Sequence, residues 1–185
     1  MADKKLTFRF DDVSANSDIK LHNDITDYLF DKFPNCEVIW AVSPCVHSSQ
    51  NENGRVFPKI WNAYSDPTIH YTLDRIGTVY IRPKITVATH GLVHCDHRLM
   101  KQSAQELSIV LSANLVGAKV FVPPFNKWNI QTEYICQTHG IELIKFEDGW
   151  KSMEHEKYDS DHTLWYLHAR DNWSMDTIKK WFECA

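Results

Sequence analysis

Short β-like apolar runs alternating with amphipathic helical stretches recur along this chain and limit its fold more than any other feature. Lys5 to Asp12 sets Leu6, Phe8 and Phe10 on one side of an extended segment, as a half-buried strand requires. From about Asp18 to Phe33 the period changes, and Leu21, Ile25, Tyr28 and Leu29 share one face of a helix. Pro34-Asn35 stops that helix, and Glu37 to Val42 is a second, almost continuously apolar strand. Further strands are expected at Lys84 to Thr89, Lys119 to Val122, Ile141 to Phe146 and His162 to His168.

Between these strands lie more helical patterns. One opens at Ser103-Ala104-Gln105-Glu106, where the hydroxyl and the carboxylate fit a capping box. It carries Leu107, Val110, Leu111 and Leu115 as its apolar stripe and stops at Gly117. Another runs from about Trp128 to His139 before Gly140, and the last opens at Ser174 with Ile178, Trp181 and Phe182. Strand and helix in alternation mean parallel strands joined by crossover helices. The expectation is one α/β domain over residues 1–185, with 46–83 as an irregular excursion over a functional face.

Composition narrows the function. With 43% hydrophobic and 24% charged residues the chain has the balance of a folded domain rather than a disordered one. A net charge of -4 without a basic cluster gives nucleic acid no electrostatic footing. No apolar stretch is long enough to span a bilayer. The first residues run straight into a strand pattern without the apolar core of a signal peptide, so a cytoplasmic location is expected. The five cysteines are scattered and lack the close pairing of a disulfide framework or thiolate metal site. Buried free thiols are the expectation, with Cys95 the one lying among potential ligands.

Unusual polar residues sit where the strand patterns end. Strand one ends in Asp11-Asp12, the strand at Lys84 in His90 with His94 four residues on, and the last strand in His168. The strand at Lys119 runs into Pro123-Pro124-Phe125-Asn126, and that at Ile141 into Glu147-Asp148-Gly149-Trp150. In a parallel barrel or sheet these ends share one face, where catalytic groups gather. Two imidazoles at i and i+4, on one face of a helical turn, and one carboxylate form a three-ligand set that leaves positions for water and substrate. A second carboxylate beside them can act as base, and an imidazolium opposite can protonate a departing amine. His-Gly-Leu-Val-His lacks the Glu of a zinc-protease helix, which disfavours that mechanism.

These segments resemble the polysaccharide deacetylase (NodB-homology) family. Phe8-Arg9-Phe10-Asp11-Asp12 is similar to its Thr-Phe-Asp-Asp motif, and Thr89 to His94 to its His-x-x-x-His motif. Val122-Pro123-Pro124-Phe125 resembles Arg-Pro-Pro-Tyr, and Tyr166-Leu167-His168 the final Leu-x-His strand. The resemblance implies a distorted (β/α) barrel of about seven parallel strands. It implies a divalent metal held by Asp12, His90 and His94: commonly zinc, with cobalt, nickel, iron and manganese as alternatives. Asp11 would be the base and His168 the acid, acting on the N-acetyl group of a small sugar or glycan. Phe125, Asn126 and Trp150 would place the sugar, Leu167 would line the acetyl methyl site, and Asp148 loosely matches an acidic position of the fourth motif.

Three departures bear on that reading. Val13 follows Asp-Asp where the family often has glycine, and Ala169 follows His168 where it often has Asp. Val122 takes the place of the arginine that holds the base carboxylate, which alters the environment of that base. Arg9, two residues before Asp11 and so on the same side of the strand, is the expected replacement. Three functions remain open at this point: deacetylase, hydrolase of another non-peptide amide, and carbohydrate-binding pseudoenzyme on the same barrel. His97 and Asp96 are expected behind the ligands or at the surface rather than on a metal. Trp128, Trp165 and Trp173 are further aromatics that could stack on sugar, and Arg170 and Asp171 could line the rim.

Overall fold

The parallel order dictated by the alternation is realised in one sheet. The computed structural model describes residues 5–14, 17–44, 84–168 and 173–183. The excursion expected at 46–83, the rim positions Arg170 and Asp171, Ala169, Cys45 and Cys184 lie outside those residues. In chain order the elements are β1 (Thr7–Val13), α1 (Ile19–Lys32), β2 (Glu37–Val42), β3 (Ile85–Thr89), α2 (Gln102–Val116), β4 (Val120–Phe121) and α3 (Ile130–Thr138). They continue with β5 (Glu142–Leu143), β6 (Lys151–Ser152), β7 (Leu164–His168) and α4 (Met175–Glu183). The seven strands pair in parallel in the order β5-β4-β3-β2-β1-β7-β6, curled into an open half-barrel with helices around it.

Local chemistry explains most boundaries. Asp18 caps α1 by accepting from Leu21 N–H at 3.0 Å, and Asn129 caps α3 in a reciprocal box with Thr132. Pro123 and Pro124 lack the N–H that a ladder needs, which ends β4 after two residues. α2 ends where Gly117 takes a φ of 65°, but it does not start as the sequence suggests. Gln102 is its first residue and Lys101 its cap, so Ser103 lies inside the first turn and the expected capping box is absent. The strand that no pattern announces, β6 at Lys151–Ser152, is too short to leave a period in the sequence.

The central strands separate two cores. Phe8 and Phe10 of β1, Val38, Trp40 and Val42 of β2, and Trp165 and Leu167 of β7 pack outward with Ile25, Leu29, Ile178 and Phe182 of the flanking helices. The alternate residues turn inward, where Ile39, Ala41, Ala88, Val122, Trp150 and Tyr166 form a smaller cluster. Arg9 and Asp11 belong to that inner face. No described helix is long and apolar enough to cross a membrane.

Candidate active site

Strand register gathers the polar ends. Asp11 of β1 is the direct neighbour of His168 on β7, while Val13, Val42, Thr89 and Phe121 follow one another across β1, β2, β3 and β4. Adjacent residues of a regular strand point to opposite faces, so Asp11 and Asp12 could not both serve one site without a break in the pleat. The break is a bulge: three steps on β1, from Phe10 to Val13, face two on β2, from Trp40 to Val42. Asp12 takes the extra step at a φ of 62°, a left-handed conformation that Asp tolerates better than most residues. Its carboxylate is thereby carried to the imidazoles of the next loop.

Asp12 Oδ1 lies 3.2 Å from His90 Nε2 and 2.8 Å from His94 Nε2. One ligand atom from each of the three residues falls within 4.8 Å of the others, and they are the sole such group of His, Cys, Asp and Glu among the described residues. The donor set suits a divalent cation of the imidazole-preferring kind. The tautomer of His90 agrees: Nδ1 lies 2.7 Å from the Val122 carbonyl, which can only accept, so Nδ1 carries the hydrogen and Nε2 presents a lone pair. Burial pushes the Asp12 carboxyl up, but when His90 and His94 carry protons in place of a cation their hydrogen bonds and charge outweigh it and hold Asp12 well below the usual carboxylate range. The segment bearing the two histidines is a bent loop turned by Gly91 at a φ of 82°, not the helical turn expected from the i, i+4 spacing.

Asp11 is wrapped on the inner face. Arg9 donates from Nε to Asp11 Oδ1 at 2.8 Å and from Nη2 to Oδ2 at 2.9 Å, a two-pronged contact between groups that are both almost wholly buried. Nη2 also donates to Asn126 Oδ1 at 2.6 Å. The guanidinium lies between the rings of Trp150 and Tyr166, 4.6 and 4.9 Å from their centroids. Arg9 therefore lies where its spacing predicts, and Val122 has joined the apolar inner cluster. Breaking such a buried pair by removing one partner costs about 3–5 kcal/mol, since the other charge is stranded.

His168 flanks the site from β7. Its Nδ1 lies 2.8 Å from Glu154 Oε1, and the same oxygen accepts from the His168 backbone N–H at 2.9 Å. Because a carboxylate only accepts, Nδ1 carries a hydrogen and Nε2 is not engaged by Glu154. Glu154 is the residue that sequence reasoning missed. It follows the two-residue β6 and belongs to no motif, so no periodic or spacing signal announced it. Asp148, expected near the site, is exposed and spends Oδ2 on the Lys145 N–H of its own turn at 3.0 Å.

Three other expectations change. Leu167, expected to line the acetyl methyl site, is 1% exposed in the outer core; strand alternation puts Tyr166, not Leu167, on the side of His168. Trp150 is 6% exposed with one ring face against Arg9, so it braces the Arg9–Asp11 pair rather than standing open at the rim. Asn126 likewise binds Arg9 through its side-chain oxygen. Phe125 does stand open: at a φ of 59° it is 42% exposed, with its ring 4.3 Å from that of His94. Trp165 is buried in the outer core and Trp173 packs against it, while Trp128 pairs with Glu147 and Lys145. Cys95 lies among Leu92 and Val93, its thiol pushed up to about 12 by burial, and offers no ligand to the group.

No family model matches the sequence, and no curated protein matches it. Solved structures do. A family 4 carbohydrate esterase from Streptomyces lividans, determined with acetate, aligns over 98% of this chain and 85% of its own at 13% identity and a TM-score of 0.55. The peptidoglycan deacetylase PdaC from Bacillus subtilis aligns over 98% of this chain and 83% of its own at 12% identity and a TM-score of 0.64. A family 4 pseudoenzyme from Bacillus anthracis aligns over 100% of this chain and 63% of its own at 10% identity and a TM-score of 0.58. At such identities the likeness is one of fold, and it agrees with the resemblance carried by the motifs. The chain has the fold of the polysaccharide deacetylases, the NodB-like distorted (β/α) barrel.

Proposed function

We propose that this chain, acting as one domain, hydrolyses an acyl amide in a metal-dependent reaction, removing an N-acetyl group from a sugar or glycan intermediate. The observation that carries the reading is the convergence of Asp12, His90 and His94 beside the Asp11–His168 pair. Asp12, His90 and His94 would hold a divalent cation, with zinc the first choice for two imidazoles and a carboxylate. When bound, the cation supplies Lewis acidity, acidifying a water and polarising the acyl carbonyl.

The residues do the rest. Asp11 accepts the proton as the water oxygen bonds to the carbonyl carbon, and Arg9 holds both of its oxygens in place meanwhile. His168, doubly protonated and fixed through Nδ1 by Glu154, delivers its Nε2 proton to the nitrogen as the C–N bond breaks. Acetate and a free amine leave. Phe125 and Tyr166 offer apolar surface to the acyl group or sugar, and Phe125 also covers the His94 ring. The structural likeness to a carbohydrate esterase and a peptidoglycan deacetylase supports a glycan as the substrate class.

Metal analysis of the purified chain, followed by acetate release from N-acetylated sugars with and without chelator, tests this. Bound metal, release that chelator stops, and loss of metal in Asp12→Asn would uphold it. Metal-loaded protein that releases no acetate from N-acetylated sugars but hydrolyses other amides would move the substrate to that class. A second reading, a carbohydrate-binding pseudoenzyme, is favoured by Val122 in place of the motif arginine and by the fold likeness to a pseudoenzyme. Sugar binding without release at any pH would select it.

A further inference from the structure

α2 buries polar groups where a helix on a sheet ordinarily buries apolar ones. Gln105, Ser108 and Ser112 are 0%, 1% and 0% exposed, whereas Leu107, expected on the buried stripe, is 45% exposed. Buried hydroxyl and amide groups are costly unless partnered. Here their partners outside the helix lie in one place, the segment that runs from Thr89 through His90 and His94 to His97.

Ser108 Oγ accepts from the Leu92 N–H at 3.1 Å, and Leu92 stands midway between His90 and His94. The same oxygen lies 3.0 Å from His97 Nε2, while His97 Nδ1 lies 3.1 Å from the Cys95 carbonyl. That carbonyl can only accept, so Nδ1 carries the hydrogen, Nε2 is the acceptor, and the Ser108 hydroxyl donates to it. One directed chain results: Leu92 N–H to Ser108 O–H to His97, and His97 to Cys95. It needs a neutral His97, as the burial of that ring favours. Gln105 Nε2 adds a bond to the His97 carbonyl at 2.6 Å, and Ser112 Oγ lies 2.5 Å from Thr89 Oγ1, which accepts from the Gly91 N–H at 3.3 Å. Gly91 completes the fit: a Cβ there would stand 2.5 Å from His97 Cε1.

We infer that Ser108 and His97 are positioning residues that set the spacing of His90 and His94 for a cation. The inference rests on the metal site proposed above. The polar row of α2 acts as a template: it fixes the backbone between the two ligands before any ion arrives, so the ion does not bear the cost of ordering the loop. Neither residue touches the cation or the substrate.

The test measures Zn²⁺ affinity by competition with a chromophoric chelator, and the visible spectrum of the Co²⁺-loaded chain, in the intact 185-residue chain. Ser108→Ala removes the hydroxyl, and His97→Phe fills the ring volume without its nitrogens. Ile109→Val thins the apolar packing of the same helix and serves as the control for stability. Expected are affinities about 10–100-fold weaker for Ser108→Ala and His97→Phe, with an altered Co²⁺ spectrum. Ile109→Val should lower Tm yet keep affinity and spectrum. A parent that binds Zn²⁺ alongside variants that bind equally well with the same spectrum overturns the inference alone. Equal weakening in all three variants overturns it too, by reducing the effect to general stability. A parent that binds no cation removes the metal site itself, and this inference with it.

Discussion

The two faces of β1 and β7 differ by one residue step and by almost everything else. On the outer face Phe8, Phe10, Trp165 and Leu167 meet helices and exclude water. On the inner face Arg9, Asp11, Tyr166 and His168 make two-pronged, stacked and charge-assisted contacts. The outer face tolerates volume-conserving changes because apolar packing is non-directional. The inner face depends on named partners, since an unpaired buried charge costs more than the pair gains. Stability should thus reside mainly on one side of the strands and chemistry on the other.

Substitutions that separate the two faces test this most sharply. Asp11→Asn keeps shape but loses the base, and a fall in kcat of about 10²–10⁴-fold with metal content unchanged is expected from steady-state kinetics and metal analysis. Leu167→Ala, one step from the acid, should cost about 2–5 kcal/mol of stability in denaturant titrations. Its folded fraction should nonetheless bind Zn²⁺ like the parent, and a selective loss of catalysis at full stability would break the comparison.

The pH dependence of stability probes a buried group behind the ligand loop. Burial above all, with the nearby His90 adding to it, pushes His97 down to about 4 from its ordinary 6.5. Between those values the unfolded chain holds a proton that the folded chain does not, so stability is full above about 6.5 and falls as pH drops towards 4. The loss is about 3 kcal/mol at its fullest, and His97→Phe should flatten that part of the profile. The smallest effect expected is that of Glu154→Gln. Losing one charge-assisted hydrogen bond to His168 should lower kcat about tenfold in steady-state kinetics, leaving Zn²⁺ affinity alone.

How much was legible follows from the physics of each signal. β1 announced itself by its period of two, and β2 and β3 by runs of five or more mostly apolar residues bounded by breakers. β6, with two residues, could not. The stripe on α2 was misplaced at Leu107 because leucines draw attention, while its buried face sets Gln105, Ser108 and Ser112 beside Ile109, Ala113 and Val116, and the polar three have partners in another part of the chain. Leu167 was misplaced by a single step of alternation, and alternation itself supplies the correction. Arg9 was found because its partner lay two residues away on the same strand.

By itself the sequence determined what depends on neighbours in the chain: the strand–helix order, the proline-stopped ends, and the placing of Arg9 on the same side of its strand as Asp11. The tertiary structure alone decided what depends on distant segments meeting. It set the bulge that turns Asp12 to His90 and His94, the contact of Glu154 with His168, and the polar face of α2 beneath the ligand loop. The reason is that hydrogen bonds and ligand bonds act over about 3 Å in space, and only parallel register and helix packing bring residues tens of positions apart within that reach.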